Sequence, residues 1–226
     1  VGDKCMQCER GGDEDAFIAK FDSSGKMLWD TYYGGEFYDR PGGMTTDHEG
    51  NLFLCGWTLS EDVFATEDAM QKKIKGDREG YITKFDPDGN RLWGTYYGGI
   101  GFDRLMQIKL DPEGNIYVSG ATTSEDIGYG RWKGKYHGNH DAIVAKFSSD
   151  GKKRIWTTYF AGMGIEWAYK LDYSNGSLYI TGGTQSDDLD VSGGYQKEFI
   201  GSRDAFFAKF DTSGKRLWGS YYGGST

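Results

Sequence analysis

Proline and cysteine are both scarce in this sequence, with three of each in 226 residues. Three cysteines, Cys5, Cys8 and Cys55, exclude a disulfide framework, so stability must come mainly from packing. The Cys5–Cys8 spacing is that of zinc ligands, but no second CxxC or nearby His pair completes four of them. A local disulfide or two free thiols is the expectation there. No apolar run is long enough to span a bilayer. No secretory signal is visible, although the chain opens in mid-pattern at Val1, which leaves room for an upstream segment. An excess of basic charge is missing too. The net charge of −8 argues against nucleic acid and against insertion into or binding of an anionic membrane. What the chain has instead is 36 glycines and 16% aromatic residues, the composition of many short strands joined by tight turns.

One hairpin is written four times: FDSSGKMLWDTYYGG from Phe21, FDPDGNRLWGTYYGG from Phe85, FSSDGKKRIWTTYFAG from Phe147 and FDTSGKRLWGSYYGG from Phe210. Its tryptophans, Trp29, Trp93, Trp156 and Trp218, recur at spacings of 64, 63 and 62 residues. A second hairpin lies between the copies, as DRPGGMTTDHEGNLFLCGWT from Asp39, DRLMQIKLDPEGNIYVSGAT from Asp103 and EWAYKLDYSNGSLYITGGT from Glu166. Turns rich in Asp, Asn and Ser with a following Gly, flanked by β-branched and aromatic residues, set the strand boundaries. One repeat is therefore four strands, A to D. Four antiparallel strands per repeat predict an all-β chain of β-propeller blades, each sheet burying its faces against its neighbours. The recurring Trp and Tyr of strand D supply that interface. The expected division is a half-blade at 15–35 and blades at about 39–99, 103–162 and 166–224. About three and a half blades are present, so the chain is expected to continue into further blades of a larger ring, seven-bladed by the family likeness below.

The ordered motifs DAFIAKFD, DAIVAKFS and DAFFAKFD, then LWxTYYGG, then DR, then DxxGN before strand B, resemble the bacterial SBBP (seven-bladed β-propeller) repeat. The likeness runs from about Asp15 to Gly224, departing at Glu79-Gly80-Tyr81 and at the third strand A, which lacks Asp-Arg. It implies a bacterial, secreted or cell-surface repeat protein with no shared catalytic site.

Strand order places the A–B and C–D turns on one side and the B–C and D–A connections on the other. The second side gathers the long loops 59–79, 123–140 and 185–203, where binding residues are expected. Asp39-Arg40 and Asp103-Arg104 either line a funnel for a polar ligand or form repeated ion pairs between blades. Trp132, Tyr136, His137 and His140 sit in the most distinctive loop, and suit a carbohydrate or protein surface. His137 and His140 would make only a two-ligand metal pair. Acidic pairs open each loop, Glu61 and Asp62, Glu125 and Asp126, Asp187 and Asp188, as weak calcium candidates against a reading as solvated turns. The strand C lysines, Lys20, Lys84, Lys146 and Lys209, are expected to pack their stems and pair their amines. No nucleophile–base–acid arrangement stands out. The expected function is a non-catalytic, extracellular or cell-surface binding or scaffold module for a polysaccharide or protein partner, without a cofactor. The alternatives are a polysaccharide hydrolase or lyase, and a quinoprotein-like enzyme, suggested by a loose likeness of AKFDSSGKMLW to the tryptophan-docking motif.

Overall fold

The structure is a computed structural model, and it describes residues 5–225. Its fourteen strands follow chain order: β1 (Ala16–Phe21), β2 (Met27–Tyr33), β3 (Asp39–Thr46), β4 (Leu52–Thr58), β5 (Glu79–Phe85), β6 (Arg91–Tyr97), β7 (Asp103–Leu110), β8 (Ile116–Thr122), β9 (Asp141–Phe147), β10 (Arg154–Phe160), β11 (Glu166–Ser174), β12 (Ser177–Thr184), β13 (Asp204–Asp211) and β14 (Arg216–Tyr222). They form a two-stranded sheet, β1–β2, and three four-stranded antiparallel sheets, β3–β6, β7–β10 and β11–β14. Within each sheet neighbours in space are neighbours in sequence, as the tight turns require. Gly25, Gly89, Gly151 and Gly214 hold φ between 70° and 86° at the four C–D turns, a region that side-chain-bearing residues avoid. No helix among the described residues is long and apolar enough to cross a membrane.

The sheets stack in series. Strand β7 packs on β3, β4 and β5 of the sheet before it, and β11 packs on β7, β8 and β9 in the same way. A separate apolar cluster fills each gap, centred on Tyr33, Phe64 and Tyr81 between the first and second sheets, on Ile108, Val118 and Phe147 between the second and third, and on Leu171, Phe206 and Phe210 between the third and fourth.

The repeated tryptophan fastens each gap from the outside. The Trp29 indole donates to the Pro87 carbonyl at 2.9 Å, and the ring lies over Gly89 of the next sheet's turn. Trp156 repeats this on Thr212 at 3.0 Å and on Gly214, and Trp93 covers Gly151. A Cβ on Gly151 would stand 2.5 Å from the Trp93 ring. The likeness to a tryptophan-docking motif therefore corresponds to a packing device. Two of the paired tyrosines also bridge sheets: Tyr33 bonds the Thr83 hydroxyl at 2.8 Å and Tyr97 bonds that of Thr157 at 2.6 Å. Tyr222, with no described sheet beyond it, is 65% exposed.

The long B–C loops are held down on the fold, because their backbone runs along the outer edge of the fourth strand. Tyr32, Tyr96 and Tyr221 donate their amides to the carbonyls of Gln7, Gln71 and Gln196, and Tyr159 donates to Lys133. An unpaired edge strand invites association with another chain, and this lining removes it. Arg91 and Arg154 on the fourth strands bond the loop carbonyls of Val63 and Ile127. The first tyrosine of each pair locks the loop start, with Tyr96, Tyr159 and Tyr221 hydroxyls donating to Ser60, Ser124 and Ser186 carbonyls at 2.7–2.9 Å. Cys5 and Cys8 are joined by a disulfide. Cys55 is a buried thiol pushed up to about 12 by desolvation, which makes it inert.

Candidate functional site

The first residue of strand A builds a buried node in each four-stranded sheet. Asp103 accepts the Gly99 amide at 2.8 Å, the Thr122 hydroxyl at 2.5 Å and the Ser124 hydroxyl at 2.8 Å. Asp39 has the same three partners in Gly35, Thr58 and Ser60. In the fourth sheet Glu166 takes over with Gly162, Thr184 and Ser186. All three carboxylates are 0% exposed. Asp39 and Asp103 therefore line no funnel, and neither pairs with the arginine beside it. Successive residues of a strand point to opposite faces, so the acid goes inward and the arginine outward. The serines that open the acidic loop segments are spent on these nodes, leaving Glu61, Asp62, Glu125, Asp126, Asp187 and Asp188 exposed. Asp126 accepts the Ile100 amide and Asp188 that of Met163, as loop caps. Among the described residues no three His, Cys, Asp or Glu side chains gather to hold a metal ion.

A second carboxylate, from the start of strand C, lies across the Gly-Gly corner from each node. A Cβ on Gly98 would stand 2.4 Å from Asp103 Oδ2 and 2.7 Å from Glu79 Oε1. Desolvation, followed at a distance by the neighbouring acid, pushes Glu79 and Asp141 up to about 7 each. Asp39 and Asp103 are raised by the same burial. Groups whose folded pKa is raised lend stability that is whole below their unfolded values and is lost as pH rises through the folded ones. The unfolding free energy is thus expected to fall between about pH 4 and pH 7. Urea titrations across that range check it, and Glu79→Gln with Asp141→Asn should flatten the slope.

The outward-facing residues next to those acids form a cluster of a different character. The Arg78 guanidinium carbon lies 4.0 Å from the Trp57 ring centroid and 4.2 Å from that of Phe102. Arg104 lies 4.9 Å from Trp57, 4.6 Å from Phe102 and 5.2 Å from Trp167. Arg40 approaches Trp57 at 5.4 Å and pairs with Glu14 at 2.7 Å. The His140 ring rests between Phe102 and Trp167, at centroid distances of 5.3 and 4.7 Å. Burial, with Arg104 and Arg78 nearby, pushes His140 below its ordinary value. Burial and the other arginines pull Arg104 down to about 10.

The four singled-out residues of loop 129–141 part company. Tyr136 turns inward, bonding the Thr123 carbonyl at 2.9 Å and packing on Tyr159. His140 joins the arginine cluster, so it makes no metal pair with His137. Trp132 and His137 line an open cavity of about 650 Å³ with Arg131, Lys133, Lys135 and Lys215. The Trp132 ring is 37% exposed, with Arg131 at 4.8 Å and Lys215 at 5.5 Å from its centroid. The strand C lysines pair as expected where an acid is near, Lys84 with Asp47 and Lys146 with Asp111. Lys20 instead bonds the Pro87 carbonyl, and Lys209 lies over Tyr179.

No protein-family model matches the chain. Over 120 residues it is 24% identical to an uncharacterized WD repeat-containing protein of Acanthamoeba polyphaga mimivirus, covering 48% of this chain and 9% of that protein. The chain thus spans less than a tenth of that relative's length. Among solved structures it is similar to Kuenenia stuttgartiensis hydrazine synthase, with a TM-score of 0.40 and 11% identity over 89% of this chain and 60% of that one. The WD-repeat similarity is one of repeat architecture and agrees with serial four-stranded sheets.

Proposed function

We propose that the chain is part of a β-propeller of SBBP type that serves as a non-catalytic binding or scaffold module on a bacterial cell surface. The serial stacking, with first strands adjacent and a tryptophan fastening each gap, supports a ring. The exposed Tyr222 face supports continuation into further blades. The observation that carries the binding role is the cavity around Trp132, where a half-open indole is framed by Arg131, Lys133, Lys135 and Lys215. In a chain of net charge −8 this is a local basic, aromatic groove, suited to an acidic surface polysaccharide. Stacking binds a sugar ring and the cations hold its acid group.

Glycan-array retention, read together with reducing-end release, tests this reading. Retention of acidic glycans without release is the expected result, and Trp132→Ala should weaken it about tenfold or more. Release of reducing ends would replace the module with a hydrolase or lyase. Absence of retention would end the polysaccharide reading.

A further inference from the structure

We propose that Arg40, Arg78 and Arg104, gathered around Trp57 and Phe102, form an oxyanion-binding site for a carboxylate, sulfate or phosphate group, separate from the Trp132 groove. The arrangement is otherwise costly. All three guanidiniums approach one indole, Trp57, at 4.0–5.4 Å, so like charges crowd into a half-buried patch. Among the described residues, Arg40 has Glu14 for a partner, whereas Arg78 and Arg104 form no ion pair. The Nε atoms of both are buried without a hydrogen-bond acceptor. Acids are not far away in sequence: Asp39, Glu79 and Asp103 each adjoin one of these arginines. Their carboxylates face the opposite way into the sealed interior, where hydroxyls and amides already hold them. The backbone has separated the charges, sending every acid in and every cation out.

The stacking that costs charge repulsion also prepares the donors. A guanidinium whose flat face lies on an aromatic ring keeps its N–H edge free in the ring plane, where it presents a fork for two anionic oxygens. Two such forks, Arg78 and Arg104, share the Phe102 and Trp57 rings, and Arg40 stands at the exposed margin. An oxyanion received there by the terminal guanidinium N–H groups would relieve the mutual repulsion. The His140 ring, packed between Phe102 and Trp167, adds a wall to the site.

The test is thermal unfolding and titration calorimetry of the purified chain with sodium sulfate, sodium phosphate and sodium glucuronate, each against sodium chloride at equal ionic strength. An anion at tenfold its dissociation constant is expected to raise the Tm by about 3–5 °C beyond chloride. The arm with the largest shift names the oxyanion. Arg78→Gln with Arg104→Gln should abolish the sulfate and phosphate shifts, while Trp132→Ala leaves them intact, which keeps this site distinct from the groove. Should the double variant fail to fold, exposed Arg40→Gln serves in its place and should lower the affinity about tenfold. An equal shift with chloride would mean screening alone and would overturn the proposal. So would a sulfate or phosphate shift that survives the arginine substitutions.

Discussion

Trp156→Ala is expected to lower the unfolding free energy by about 3–5 kcal/mol, measured by urea denaturation. The ring is 5% exposed, packs over Gly214 of the following sheet and approaches Tyr117 at 6.1 Å. Its removal leaves a cavity between two stiff sheets that cannot close on it, and it frees the Thr212 carbonyl. Trp156→Phe separates these terms, since it keeps most of the ring but not the donor, and should cost about 1 kcal/mol for the hydrogen bond. Trp218→Ala is the internal control. That tryptophan is only half-buried, with no described turn to dock on, and its loss should cost clearly less. Equal losses at both positions would mean that the docking contact contributes nothing beyond the burial of a ring.

Asp103→Ala carries the second large effect, about 3–5 kcal/mol, because it strands a backbone amide and two hydroxyls in a place no water reaches, at roughly 1–3 kcal/mol per orphaned group. The Gly99 amide, the Thr122 hydroxyl and the Ser124 hydroxyl all lose their acceptor together. Asp103→Asn keeps one oxygen of the same shape and should recover about half of the loss. Asp103→Glu is the informative swap, because Glu166 fills the same node in the fourth sheet with one more methylene. The flanking corner there carries Ala161 where the other sheets have Gly34 and Gly98. If the alanine variant unfolds at the wild-type urea midpoint, the node is not a structural anchor.

The strand order was legible because each tight turn carries its own punctuation. Gly25, Gly89, Gly151 and Gly214 hold the backbone that only glycine accepts readily, and they return in register with the tryptophans. The loops were less legible. A stretch such as 59–79 reads as free loop in one dimension, and its lining of the β6 edge depends on backbone amides that carry no sequence signature. The Asp-Arg pairs misled for a simpler reason: neighbours in sequence look like partners, whereas on a strand they face apart. The repeated Thr-x-Ser at Thr58–Ser60, Thr122–Ser124 and Thr184–Ser186 was the available clue to the carboxylate nodes. The arginine cluster draws on Trp57, Phe102 and Trp167, none of which belongs to the aromatic repeat. Trp57 stands where the other sheets have Ala121 and Gly183, so aligning the copies hides it.

The lining of every outer edge decides how such a chain can grow. With the outer rim already occupied by the chain's own backbone, that side of the sheet series is closed to a stranger extending it sideways. Addition is left to the broad flat sides, one whole sheet laid on another. A protein built this way lengthens like a stack of cards, and it is guarded against spreading like cloth.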